Sequence, residues 1–286
     1  MGKIAERIEE CFVKMLRAEL AEAGFNSLAD DNNDKVMMTY FTKCMSFLIP
    51  KKYKIHVHND FICPVEYREG YLQLTDKMRK GENINAHLSR TTKSTEKHDL
   101  MLYEWGIYHF HLGSIIENDG YMQRTKDVLY AYIKENDIYI IGIFEHGKWS
   151  DKELIEVIHK YYPESIADSK MENVVIETHF TTDDRKQLRK AKINMAVQLD
   201  DGTCYIGPGW GINGAGTSAW SSIRTLEKHR EFRVFEQSLL EHDPNAEDRR
   251  WVIVRVEDKI YLANDADVAY LLYQWPTLKK RIGIRL

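Results

Sequence analysis

A run of about 18 apolar residues, the length that crosses a bilayer, occurs nowhere in this 286-residue chain. The first 24 residues, MGKIAERIEECFVKMLRAELAEAG, carry charge at every turn and lack the apolar stretch of a secretory signal. Gly2 is followed by Glu6 where a myristoylation signal has Ser or Thr. Cysteine is equally sparse. Cys11, Cys44, Cys63 and Cys204 lie far apart without a CxxC pair, which argues against a zinc knuckle or a disulfide framework. These absences predict a cytoplasmic protein in a reducing compartment, with no membrane contact. An excess of one charge is also missing. The net charge of −4 and pI near 6.3 exclude a generally basic nucleic-acid coat, so any RNA contact must come from a local patch. No GxSxG elbow occurs, no cysteine has a histidine beside it, and no repeat or low-complexity tract is visible.

With 43% hydrophobic and 29% charged residues, the chain can bury a substantial core. Apolar residues at helical spacing, Ile4, Ile8, Cys11, Phe12, Met15, Leu16 and Leu20, predict an amphipathic first helix. The polar segment DDNNDK starts a second, Val36 to Phe47, and a third runs from Pro64 to about Lys80, with KYKIHVHNDF between them as a short strand. Residues 81–98 lack periodicity and mark a boundary. Beyond it come a short helix, His98 to Glu104, and three strand-like runs, IYHFHL, DVLYAYI and DIYIIGIF, the last two joined as a hairpin. Another helix follows, for which Ser150 and Glu153 have the spacing of a capping box. From Asp183 a basic helix, a hairpin at Asp200–Gly202, a glycine-rich loop and a long helix from Ser218 to Glu241 are expected. A second hairpin at Glu257–Asp258 and a last helix around Ala266 to Tyr273 complete the chain. The expected class is α+β in three parts: a helical region (1–94), a central antiparallel sheet with flanking helices (95–182), and an α+β region with two hairpins around a long helix (183–286).

The chemistry concentrates in the middle. Residues two apart on a strand share a face, which sets His109 and His111 together and Tyr108, Phe110 and Leu112 opposite, one face imidazole and the other core. The same alternation puts Ile138, Ile140, Gly142, Phe144 and His146 on one face of the third strand. If that strand lies close to the first, the three histidines converge, with Arg124 and Lys126 arriving from the preceding loop. Histidine suits proton transfer near neutrality because its ordinary pKa is about 6.5. RNA cleavage needs a base for the 2′-hydroxyl, an acid for the leaving oxygen and cations for the phosphate. The candidate catalytic residues are therefore His109 or His111 as base, His146 as acid, and Arg124 with Lys126 or Lys148 on the phosphate, while Tyr130 or Tyr132 offers a ring for a base. Paired histidines on a strand also occur as surface or structural residues, and Arg124 has an equally plain reading as a carboxylate's partner.

Helix, polar strand, R-x-x-x-VLY, hairpin and IYIIGIFEHG together make residues 98–162 similar to the core of the RelE and ParE toxins. That resemblance implies a RelE-like sheet, RNA as the substrate, a role in bacterial defence and an inhibitory or partner protein, with no cofactor. The chain departs from the family by offering histidines where its nucleases lean on Lys and Arg, and by its larger flanks.

Two other readings stand beside the nuclease. The degenerate toxin fold is one, a non-catalytic module that binds protein or nucleic acid. A metal-dependent hydrolase is the other, with HxH as a ligand pair and His146, Asp99 or Glu104 as third ligand. The second HxH, His56 and His58 in HVHND, is similar in part to the HxHxD of metallo-β-lactamase-like hydrolases, with Phe61 standing where the next histidine is expected. Residues 207–220 hold five glycines before a helix, so Gly214, Gly216, Thr217 and Ser218 are candidate anion donors. That loop lacks lysine, and a structural turn packing Trp210 and Trp220, or a flap, is the preferred alternative. Basic runs at 185–192 and 278–285 are either backbone contacts or solvated faces.

Overall fold

The computed structural model describes residues 2–26, 28, 31–178, 180–243, 245–264, 269–274 and 278–282. In chain order the elements begin with α1 (Lys3–Glu22), α2 (Asn33–Ser46), β1 (Lys54–Val57), α3 (Arg68–Lys80) and α4 (Leu100–Trp105). Next come β2 (Ile107–His111), β3 (Asp127–Lys134), β4 (Asp137–Glu145), α5 (Glu153–Tyr161), β5 (Lys170–Met171) and α6 (Thr182–Lys190). The remainder is β6 (Ala196–Gln198), β7 (Cys204–Ile206), α7 (Ala219–His242), β8 (Trp251–Val256), β9 (Lys259–Asn264), β10 (Ala269–Gln274) and α8 (Leu278–Ile282). The fold is α+β, and among the described residues no helix is long and apolar enough to cross a membrane. The chain divides into two compact units, residues 1–49 with 221–286, and residues 50–220. These limits differ from the expected three parts, because β1 pairs within the central sheet and the C-terminal strands share a unit with α1 and α2.

In the first unit, α1 buries the predicted stripe Ile4, Ile8, Phe12, Leu16 and Leu20, and Phe12 meets Phe232 of α7 edge to face at 5.5 Å. Gly2 at the α1 N-cap has no side chain to offer. The buried Glu236 of α7 takes that place, its Oε1 accepting from the Ile4 amide at 2.9 Å. Asn32 caps α2, as the polar start signal predicts, by accepting from the Lys35 amide. The hairpin β8–β9 forms with the expected turn, but residues 269–274 are a strand, β10, antiparallel to β9, and not the expected helix. Backbone pairing along the open edge of β9 outweighs the helical spacing of a short apolar run; Ala266, Asp267 and Val268 lie outside the described residues.

In the second unit the main sheet has the order β1-β4-β3-β2. The three consecutive strands are antiparallel, as expected, while β1 adds parallel to β4, which makes the sheet mixed. Both faces are buried. On one, Ile107, Val128, Tyr130 and Ile141 pack with Leu154, Ile155 and Ile158 of α5; on the other, Phe110, Leu129, Ala131, Ile138 and Ile140 are fully enclosed. His109 and His111 share the α5 side, so the imidazole face is itself a core face, contrary to the simple alternation.

The register of β3 and β4 shifts once. Ala131 pairs with Ile140 and Tyr130 with Gly142, leaving Ile141 as an extra, unpaired residue. Past this bulge the alternation of β4 inverts. Ile138 and Ile140 stay on one face, whereas Gly142 and Phe144 move to the face of Tyr130, and with them His146. The single face expected for all five residues is thus split. The carbonyl of Ile141 receives a hydrogen bond from His58 Nε2 at 3.1 Å, so His58, which follows β1, supports the bulge. The ring of His58 also stacks on Tyr161 at 4.2 Å. His58→Phe keeps the ring and removes the donor; it should lower stability by about 1–3 kcal/mol in denaturant unfolding, with perturbed amide signals around Ile141.

A histidine cavity with a basic rim

Asp99 starts α4, its Oδ1 accepting from the Leu102 amide at 3.0 Å. This cap aims Oδ2 at β2, 3.5 Å from His109 Nδ1. The His109 ring is 6.3 Å from His111 and 5.6 Å from His146, and His146 stacks over His111 at 5.4 Å. Trp149 closes the group, 4.9 Å from His109 and 4.5 Å from His146. His109 is 5% exposed and His111 3%, whereas His146 is open to solvent. A cavity of about 310 Å³ opens over His109, His146, Asp99 and Trp149. Its walls include Ser89 and Thr91, and Lys186, Arg189 and Lys190 of α6.

Burial dominates the electrostatics. It pushes His109 down to about 3, with His146 adding to the effect. His111 is also lowered to about 3, by burial and then by His109, His146 and Arg124. His146 is lowered by desolvation and Arg124. All three imidazoles are therefore neutral at pH 7. The Asp99 carboxyl is raised to about 6 by burial, against the Leu102 amide and the charge of Arg189. The Thr125 amide donates to His111 Nδ1 at 3.3 Å, which places the His111 proton on Nε2. Neither ring nitrogen of His109 has a hydrogen-bond partner in the protein.

Arg189 forms a buried ion pair with Glu104 of α4, also donates to the Trp149 carbonyl, and lies 4.2 Å over the Trp105 ring. The second oxygen of Glu104 accepts from the Met195 amide at 3.3 Å. Ser150, expected to cap α5, instead accepts from Arg189 at 3.2 Å, and α5 starts at Glu153 without a side-chain cap. The capping box of this region belongs to α6, between Thr181 and Asp184.

The other predicted residues fall in different places. Arg124 and Lys126 are exposed, and Arg124 is near enough to depress His111 and His146. Lys148 is turned to Glu153 at 2.7 Å and away from the cavity lining. Tyr130 and Tyr132, expected to stack a base, are core residues with no open ring face, and the Tyr130 hydroxyl donates to the Glu145 carbonyl at 3.2 Å.

The glycine-rich loop is structural. Gly209 and Gly211 donate to the Glu104 and Tyr103 carbonyls at 2.9 and 2.8 Å, covering the C-terminus of α4, and a Cβ on Gly209 would collide with that backbone. The amides of Gly216 and Thr217 are taken by Asn213, Ser218 is buried, and none of Gly214, Gly216, Thr217 and Ser218 lines the cavity. Trp210, expected to pack inward, is 63% exposed.

For the metal reading, Glu104 is committed to Arg189, and His56 pairs with Asp137 at 2.6 Å as His58 does with Ile141. Among the described residues no three His, Cys, Asp or Glu side chains are grouped to hold a metal ion. Sequence reasoning missed the cavity role of Trp149, Arg189, Lys186 and Lys190, whereas the polar loop 87–93, readable as a linker or as a loop near the site, supplies Ser89 and Thr91. The basic run at 185–192 was the visible signal for Lys186, Arg189 and Lys190.

Compared with known proteins, the chain matches no protein-family model, no curated protein and no solved structure.

Two outcomes follow from the burial. Arg189→Met strands the Glu104 carboxylate and should cost about 3–5 kcal/mol, read by chemical denaturation. His109 and His111 titrate near 6.5 when unfolded and near 3 when folded. Between those values the unfolded chain binds more protons, so stability falls on acidification, by up to about 1.4 kcal/mol per pH unit for each group. Asp99, raised when folded, opposes this between pH 4 and 6 as a single group. Stability measured from pH 7 to 4 should therefore decline, and the decline should be shallower in His111→Asn.

Proposed function

We propose that this cavity is the active site of an endoribonuclease whose proton transfers are carried by side chains, and that the chain acts as a toxin-like effector. The observation that carries the reading is His109. A neutral, buried imidazole with no hydrogen bond on either nitrogen, its Nδ1 3.5 Å from a carboxyl raised to about 6, costs stability with no structural return. Three converging histidines with Arg124 close by supply the groups that phosphodiester cleavage requires. The similarity of residues 98–162 to RelE and ParE toxins supports RNA as the substrate.

From the protonation states we read the roles differently than from spacing alone. His146 is neutral and exposed, which suits it to accept the 2′-hydroxyl proton. The freed 2′-oxygen attacks the adjacent phosphorus, and the bond to the 5′-oxygen breaks. That oxygen takes a proton from the Asp99 carboxyl, leaving a 2′,3′-cyclic phosphate and a 5′-hydroxyl. Arg124 offsets charge on the phosphate. His111 positions the His146 ring by stacking on it.

Activity then needs His146 neutral and Asp99 protonated, so cleavage of single-stranded RNA should peak on the acid side of neutrality and fall as pH rises through about 6. Asp99→Asn should remove that alkaline limb and slow cleavage on the order of 10²- to 10⁴-fold; His146→Ala should be similarly slow. Undiminished cleavage by His111→Ala and His146→Ala overturns the proposal, and RNA binding without cleavage in the wild type makes the protein a binding module.

A further inference from the structure

The cavity has a chemistry that the cleavage step leaves unused. Leu100, Met101 and Trp149 give it apolar walls, with Ser89 and Thr91 among the polar lining residues. At about 310 Å³ it stands at the lower end of small-ligand pockets, which begin near about 300 Å³. His109 lines it, a residue only 5% exposed whose two ring nitrogens accept or donate no hydrogen bond within the protein. Such a residue marks where a ligand's polar edge belongs.

The rim is cationic. Lys186 and Lys190 are four apart on α6, hence on one helix face, and both are exposed. Neither forms an ion pair among the described residues, whereas Arg189 between them is spent on Glu104. One edge of the cavity thus presents two available ammonium groups above an apolar, hydrogen-bonding interior.

We propose that the cavity takes one unpaired nucleotide at a time, its base inside against Trp149 and the His109 edge, its phosphate between Lys186 and Lys190. This rests on the ribonuclease reading and names its substrate as single-stranded RNA. A flat ring with polar edges satisfies the apolar walls and the orphaned nitrogens together, and an anion satisfies the rim. A paired base is stacked on both sides and engaged along its Watson–Crick edge, so it enters only after extrusion, which costs unstacking and unpairing. Base stacking on aromatic groups tolerates sequence, so several bases should be accepted.

The test is calorimetric titration of the full chain with adenosine and uridine 5′-monophosphate, with the two nucleosides and inorganic phosphate as controls. The monophosphates should bind at least tenfold more tightly than either part alone, and more weakly as salt rises. The double substitution Lys186→Ala with Lys190→Ala, on exposed positions, should weaken the monophosphates by about tenfold and leave the nucleosides unchanged. A single-stranded oligonucleotide should displace the monophosphate, and the same strand annealed to its complement should need at least tenfold more. Equal displacement by duplex and single strand, or an unchanged monophosphate affinity in the double variant, overturns the assignment. Monophosphate binding without RNA cleavage would leave this pocket standing and remove the nuclease. Cleavage that depends on His146 without monophosphate binding would do the reverse.

Discussion

One unpaired residue in β4, Ile141, decides what stands at the mouth of the cavity. A regular antiparallel ladder would hold His146 on the face of Ile138 and Ile140, across the sheet from His109 and His111. The bulge inverts the strand's alternation and carries His146 over, where it stacks on one histidine and abuts the other. Such an insertion leaves a carbonyl off the ladder, and His58 accommodates it from the end of the parallel strand β1. The strand that lies outside the three-stranded pattern is therefore what stabilises the geometry of that pattern's chemistry.

A second constraint holds the walls in place. The Glu104–Arg189 pair joins α4 to α6, and the same guanidinium reaches the Trp149 carbonyl and Ser150. Buried charges are costly unless all their hydrogen-bonding capacity is used, and here the Met195 amide completes the carboxylate. The amides of Gly209 and Gly211 also cover the Glu104 and Tyr103 carbonyls at the end of α4, and Asp99 caps its start. One six-residue helix thus fixes Asp99 at one end and, through Glu104, the basic helix at the other.

The same economy recurs in the first unit, where polar side chains distant in sequence complete helix ends. Glu236 receives the amides at the start of α1, and Arg281 donates to the Cys44 carbonyl at the end of α2 at 2.7 Å. Glu19 accepts from the Tyr40 hydroxyl at 2.8 Å and pairs with Arg255 of β8. These contacts span α1, α2, α7 and the C-terminal strands, which is why chain ends far apart in sequence fall into one compact unit.

Local patterns in the sequence were enough to determine α1, α2, the helix–three strands–helix order of the centre, and the hairpins β6–β7 and β8–β9, because each rests on periodicity or turn chemistry within a few residues. They also determined that His109 and His111 share a face. Tertiary structure alone decided that this face is buried, that Tyr130 and Tyr132 are core, that the glycine loop covers α4, and that 269–274 is a strand. It alone brought Asp99, Trp149, Lys186 and Arg189 to the histidines. Lys186 and Arg189 stand 40 to 80 residues from the histidines and leave no local trace, and a one-residue register shift reverses every side chain beyond it without altering the sequence's apparent alternation.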